Sequence, residues 1–156
     1  MSRRAQIAMT PDEIEAFIDA RKTLMVASLD RDGQPHLVPM WFALLDGQIV
    51  FWTYRTSQKI VNLRRDPRLT CLLEAGDSYD QLRGVSMQGT ATLVDDPAAV
   101  RRIGIAILQR YMGPLEESAR EPFEAGVALQ ALKRVAVTFH PKHTASWDHR
   151  KLAGTY

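Results

Sequence analysis

Thr53, Ser57 and Lys59 form the pattern T-x-x-x-S-x-K directly after the apolar run GQIVFW. Two hydroxyls and an ammonium at the opening of a short helix make a donor set suited to a phosphate. The helix N-terminus adds unpaired N–H groups and the positive end of its dipole. Asn62, one turn beyond Lys59, and Arg64 or Arg65 extend this positive rim. The stretch TYRTSQKIVNLRRDPR holds five cations in all, Arg55, Lys59, Arg64, Arg65 and Arg68, which points to a local anion. A plainer reading also fits: serine or threonine at a helix start is an ordinary N-cap, and basic residues on a short exposed helix are usually solvated. The spacing lacks the specificity of a Walker motif, so both readings stand on these residues alone.

The elements that must position these residues are signalled on both sides. Thr10-Pro11-Asp12-Glu13 is a capping box with proline at N1, and Ile14, Phe17 and Ile18 follow at helical spacing, which predicts a helix over 11–21. TLMVASL reads as a strand, DRDGQ as a turn, and PHLVPMWFALL (35–45) as one long second strand made irregular or edge-placed by its prolines. Asp46-Gly47 signals a hairpin into the strand QIVFWT. A helix over 57–65 ends at Asp66-Pro67, because proline excludes the preceding residue from helical dihedrals. The strand RLTCLLEA, the polar loop GDSYDQ and the strand LRGVSMQGTATLV follow, with Gly84 and Gly89 predicting bulges or close backbone approach.

Asp95 or Asp96 caps a helix starting at Pro97, with Val100, Ile103, Ile107, Leu108 and Tyr111 as its buried stripe and Gly113-Pro114 as its stop. A second helix is predicted over 121–131, and KRVAVTFHP is a final strand running toward Trp147. Six or so mostly antiparallel strands with helices inserted late predict an α+β fold on a barrel-like sheet. One domain over 1–156 accommodates them.

Composition narrows the functional classes. A formal charge of +2 is too small for an electrostatic nucleic-acid binder, and neither late helix carries a groove-sized basic face. The single cysteine, Cys71, lies in an apolar run and reads as a packed strand residue; with no disulfide available, a cytoplasmic protein is expected. MSRRAQIAMTPDE lacks the apolar core of a signal peptide, and no segment nears the ~20 apolar residues that span a bilayer, so no membrane is expected. GVSMQG is G-x-S-x-x-G inside a strand pattern and not a hydrolase elbow. His140, His143 and His149 have no helical pairing and no cysteine cluster beside them, so no metal is expected.

The strand before the hairpin supplies a second feature. HLVPMWF places Met40, Trp41 and Phe42 one hairpin away from Thr53, where alternate side chains and exposed backbone flank a planar ring, although core packing explains at least one of these aromatics. A planar ring with a phosphate tail uses both features. At this point the sequence resembles the FMN-binding split-barrel proteins related to pyridoxamine 5'-phosphate oxidase, including the branch that uses the deazaflavin coenzyme F420. The resemblance rests on TLMVASLDRDGQPHLVPMWF, the DG hairpin, VFWTYRTSQKIVNLRRDPRLTCLLE and GVSMQGTATLV, with the run from Lys59 to Arg68 its most specific part.

That resemblance implies a split β-barrel with flanking helices in which the strand at Val38, Pro39, Met40, Trp41 and Phe42 lines the cofactor ring. It implies that Thr53, Ser57, Gln58 and Lys59 hold the phosphate, the role derived above from donors for three of them. It further implies a homodimer with cofactor sites at the interface, where Trp147 resembles a tryptophan that reaches the partner's cofactor, with Arg150 and Lys151 nearby; a tail docked on its own barrel is the plainer alternative. The oxidase branch carries an arginine-rich strand and a glutamine that here give way to HLVPMWF and Gly84, so oxidation of pyridoxamine phosphate is not expected. The expected activity is hydride exchange between a flavin-type cofactor and a small conjugated acceptor, with Tyr79 and Trp147 walling the substrate side. F420 stands slightly ahead of FMN because Arg55, Arg64 and Arg65 suit an anionic tail. A non-catalytic protein of this fold that binds a flavin, F420 or haem is the alternative, and no acid or base residue stands out.

Overall fold

The computed structural model describes residues 2–152. Seven strands, β1 (Leu24–Leu29), β2 (Pro35–Met40), β3 (Ala43–Leu45), β4 (Gln48–Tyr54), β5 (Arg68–Ala75), β6 (Arg83–Val94) and β7 (Arg134–Asp148), form one antiparallel sheet in the order β2-β1-β5-β6-β7-β4-β3. The sheet curls into a half-barrel. Helices α1 (Arg3–Ile7), α2 (Pro11–Ala20), α3 (Gln58–Arg65), α4 (Pro97–Met112) and α5 (Glu117–Ala131) flank it.

Local chemistry explains most boundaries. Thr10 accepts from Glu13 N–H while the Glu13 carboxylate accepts from Thr10 N–H, so the capping box sets the start of α2. Asp96 caps α4 through Ala99 N–H at 2.8 Å, and Gly113 (φ +79) ends it. Asp46 and Gly47, both at positive φ, make the tight turn from β3 to β4.

The predicted long strand over 35–45 is in fact two strands at opposite edges of the sheet: β2 pairs with β1, and β3 with β4. The break falls at Trp41 and Phe42. Phe42 turns its side chain fully into the core and its N–H donates to Tyr111 Oη at 3.1 Å, so tertiary packing takes the place of a ladder bond. Helix α5 starts four residues before the predicted 121 and carries Pro122 inside it. Strand β7 continues past the expected KRVAVTFHP to Asp148, with a register shift at Gln88/Gly89; a Cβ on Gly89 would lie 2.0 Å from His140 O, so glycine permits that close approach.

Two cores follow from strand alternation. Phe51 points into the barrel with Leu24, Val26, Phe42, Leu73, Val85 and Phe139, whereas Val50 and Trp52 point outward against Val100, Ile103 and Ile107 of α4 and Val127 of α5. Each fully buried side chain of this size contributes about 1.5–3 kcal/mol. Cys71 lies in the first core, and burial pushes its thiol up to about 12, which makes it chemically inert at neutral pH. No helix among the described residues is long and apolar enough to cross a membrane.

One sheet face has no such cover. The register aligns Pro39, Met25, Leu72, Ser86 and Ala145 in a row across β2, β1, β5, β6 and β7, on the side opposite the barrel core. Leu37, next to this row on β2, is 59% exposed.

Candidate functional site

Thr53 is the last but one residue of β4, paired with Val135, and its alternation turns the side chain toward the α3 end of the barrel, away from the Trp52 side. The chain then turns back sharply, with Ser57 N–H donating to Tyr54 O at 3.0 Å. Ser57 occupies the N-cap position of α3, yet its hydroxyl makes no capping bond. Instead Thr53 Oγ1 donates to Ser57 Oγ at 3.4 Å, and Lys59 Nζ donates to Thr53 Oγ1 at 3.3 Å. The three residues of the T-x-x-x-S-x-K pattern therefore converge in space.

Lys59 is the electrostatic centre of this group. Among the described residues it has no carboxylate partner, and desolvation by partial burial lowers its pKa from the ordinary lysine value. An unpaired, partly desolvated ammonium beside two hydroxyls and the first turn of a helix is an arrangement that gains from an anion.

The other residues of the basic stretch go elsewhere. Asn62 is fully buried and bonded to Gln58 and Ser28. Arg65 donates to Leu29 O at 2.6 Å, and Arg68 is engaged by Asp66, whose carboxyl it holds down at about 2. Arg55 points to the opposite side of β4, where it meets Asp95 beside a cavity of about 360 Å³ lined by Pro97, Ala98, Arg101 and Ala128.

Along β2, Val38 and Met40 turn half-buried side chains to the barrel core while Pro39 faces the uncovered sheet. Trp41 is 53% exposed and stacks on Tyr111 with ring centroids 4.2 Å apart and an interplanar angle of 10°. Phe42 has both its ring and its N–H committed inward, so it presents nothing to an open face. Tyr111, expected only as a buried-stripe residue, is the hub here: its hydroxyl accepts from Phe42 N–H and donates to Lys22 O. Ser28 is a second residue of this kind, marked in the sequence only as a polar residue at an inward position of the apolar run TLMVASL.

Trp147 is the last residue but one of β7 and docks on its own sheet. It pairs with Gly84, where a Cβ would stand 2.1 Å from its Cζ2, so the indole lies flat over the glycine. It sits a dozen positions along β7 from Val135, the partner of Thr53, which is roughly 40 Å of strand. Tyr79 makes an edge contact with His149, whose Nδ1 bonds Tyr79 O at 2.9 Å. His140 lies between Gln48 and Thr92, and His143 pairs in register with Gln88, so the three histidines spread along the end of the chain.

Residues 10–144 match the pyridoxamine 5'-phosphate oxidase family. The chain belongs to that family. The pyridoxamine 5'-phosphate oxidase match runs from the capping box of α2 almost to Trp147. Within known proteins, the chain is 29% identical over 118 residues to an F420H(2)-dependent biliverdin reductase of Mycobacterium tuberculosis, covering 74% of this chain and 82% of the relative. It superposes with a TM-score of 0.89 on the crystal structure of a conserved hypothetical protein of the same organism, at 44% identity over 100% of this chain and 95% of the other. The fold is also shared with the haem storage protein HutZ of Vibrio cholerae, at TM-score 0.66 and 15% identity over 88% and 93% of the two chains.

Proposed function

We propose that the protein is a cytoplasmic, homodimeric oxidoreductase that binds a flavin-type cofactor, F420 ahead of FMN, and passes a hydride between it and a small conjugated acceptor. The observation that carries this reading is the convergence of Thr53, Ser57 and Lys59 around an ammonium with no carboxylate partner. Their chemistry fits the phosphate of such a cofactor: hydroxyls, N–H groups and one positive charge, with no acidic side chain among them. Family membership and the F420H(2)-dependent relative support the same class.

When bound, the flavin-type ring supplies the hydride chemistry. The chain's own part is to bind and orient. Lys59, Thr53 and Ser57 hold the phosphate end, and the β2 segment at Val38, Pro39, Met40 and Trp41 flanks the ring. The uncovered row Pro39, Met25, Leu72, Ser86 and Ala145 supports dimerisation through this sheet face.

Titration of the purified protein with FMN and with F420, followed by fluorescence, tests this. Micromolar binding of either is expected, weakened in Lys59→Ala and Ser57→Ala; absence of both would remove the reading. A second reading, a carrier or sensor of a flavin, F420 or haem, draws on the fold shared with HutZ. Bound cofactor with no hydride transfer to quinone, nitro or enone acceptors would favour it.

A further inference from the structure

Asn62 has no exposed surface, and both ends of its amide are taken. Its Nδ2 donates to Ser28 Oγ at 3.0 Å, and its Oδ1 accepts from Gln58 Nε2 at 2.9 Å. Ser28, only 1% exposed, belongs to β1; Gln58 opens α3 and stands between Ser57 and Lys59. At the far end of the helix Arg65 donates to Leu29 O at 2.6 Å. Two consecutive residues of β1 therefore hold the second half of α3, at Asn62 and at Arg65, and the Asn62–Gln58 bond carries that hold back to the first turn.

A leucine would fill the place of Asn62 without needing partners. An asparagine there ties the helix to β1, since a slide or rotation of α3 parts its buried Nδ2 donor from Ser28 Oγ. The bond also runs to the residue that separates the two cradle donors on α3. We propose that Asn62 and Ser28 are positioning residues, which hold the first turn of α3 and thereby set Ser57 and Lys59 at the angle a phosphate ester requires. This assigns Asn62 a role through Gln58 and the helix instead of contact with a ligand, and it rests on the cradle being a phosphate site.

The test compares ligands with and without the phosphate: FMN against riboflavin, and F420 against its phosphate-free deazaflavin core, on the full chain, with thermal melts to confirm folding. Wild type should prefer the phosphorylated member of whichever pair it binds. Asn62→Leu and Ser28→Ala should each cut that preference about tenfold while changing affinity for the phosphate-free ring less than twofold, and the double variant should lose no more than the worse single one. Ser28→Ala, the smaller change, carries the test should Asn62→Leu fail to fold. Equal losses for both members of a pair, or a preference within twofold of wild type, would overturn the positioning role. A wild type with no preference for the phosphate would remove the cradle reading itself, and the inference with it.

Discussion

The two ends of the stretch from Thr53 to Arg68 have similar composition and opposite fates. At the start, Lys59 and Ser57 are donors without an acid: the ammonium meets Thr53 Oγ1, and the N-cap hydroxyl caps nothing. At the end, Arg68 is closed onto Asp66 by paired bonds of 2.6–3.0 Å, and Arg65 is spent on a backbone carbonyl. A run of cations therefore identifies an anion site only where the fold withholds acidic partners. Exposure separates the two cations too, because Lys59 is partly desolvated while the Arg68 side chain stands largely in solvent.

The largest effect that would sharpen this contrast is Lys59→Ala. Loss of a charged donor to phosphate costs roughly 2–3 kcal/mol, or about 50-fold in FMN or F420 affinity by fluorescence titration. The melting temperature of the free protein should stay the same or rise, since the side chain holds a charge in a partly desolvated place. A stability loss with unchanged affinity would make Lys59 structural and erase the contrast. Comparison of wild type with Lys59→Arg tests pH: because desolvation lowers the Lys59 pKa, the ammonium is present below that depressed value and lost as pH rises through it. Wild-type affinity should therefore fall at a less alkaline pH than in Lys59→Arg, measured as Kd against pH.

Ser57→Ala comes next. An ordinary N-cap serine contributes ~1 kcal/mol to stability, but this hydroxyl makes no capping bond. The expected result is about a fivefold loss of affinity with little change in melting temperature. A clear drop in melting temperature at unchanged affinity would return Ser57 to the plain N-cap reading.

The difference between the two ends also shows what the sequence made legible. The capping box at Thr10, the Asp46-Gly47 turn, the stop at Asp66-Pro67 and the T-x-x-x-S-x-K cluster rest on contacts within a few residues, so local spacing predicts them. The break at Trp41 and Phe42 depends on Tyr111, 69 residues away. Asn62 reads as an exposed rim residue until Ser28, 34 residues upstream, is brought against it. The short α1 buries no side chain and so leaves no hydrophobic period to read. Gly84 was legible as a place of close approach, but not that an indole would fill it, because only the β6–β7 register names Trp147 as its partner.

The smallest effect belongs to Arg68. Its hydrogen bonds and charge hold Asp66 at about 2, below the ordinary carboxylate value of 3.8 that the unfolded chain shows. A carboxyl depressed in the folded state adds stability that is complete above the unfolded value and lost as pH falls from about 4 toward 2. Arg68→Ala removes the main cause, so the acid limb of melting temperature against pH should become shallower across that window, by an amount kept small by solvent exposure. Affinity for FMN or F420 at neutral pH should not move, because this guanidinium already has its anion. A loss of cofactor affinity in Arg68→Ala would place the anion site at the wrong end of α3, whereas an altered acid limb alone separates a cation that stabilises the turn from one kept free for a ligand.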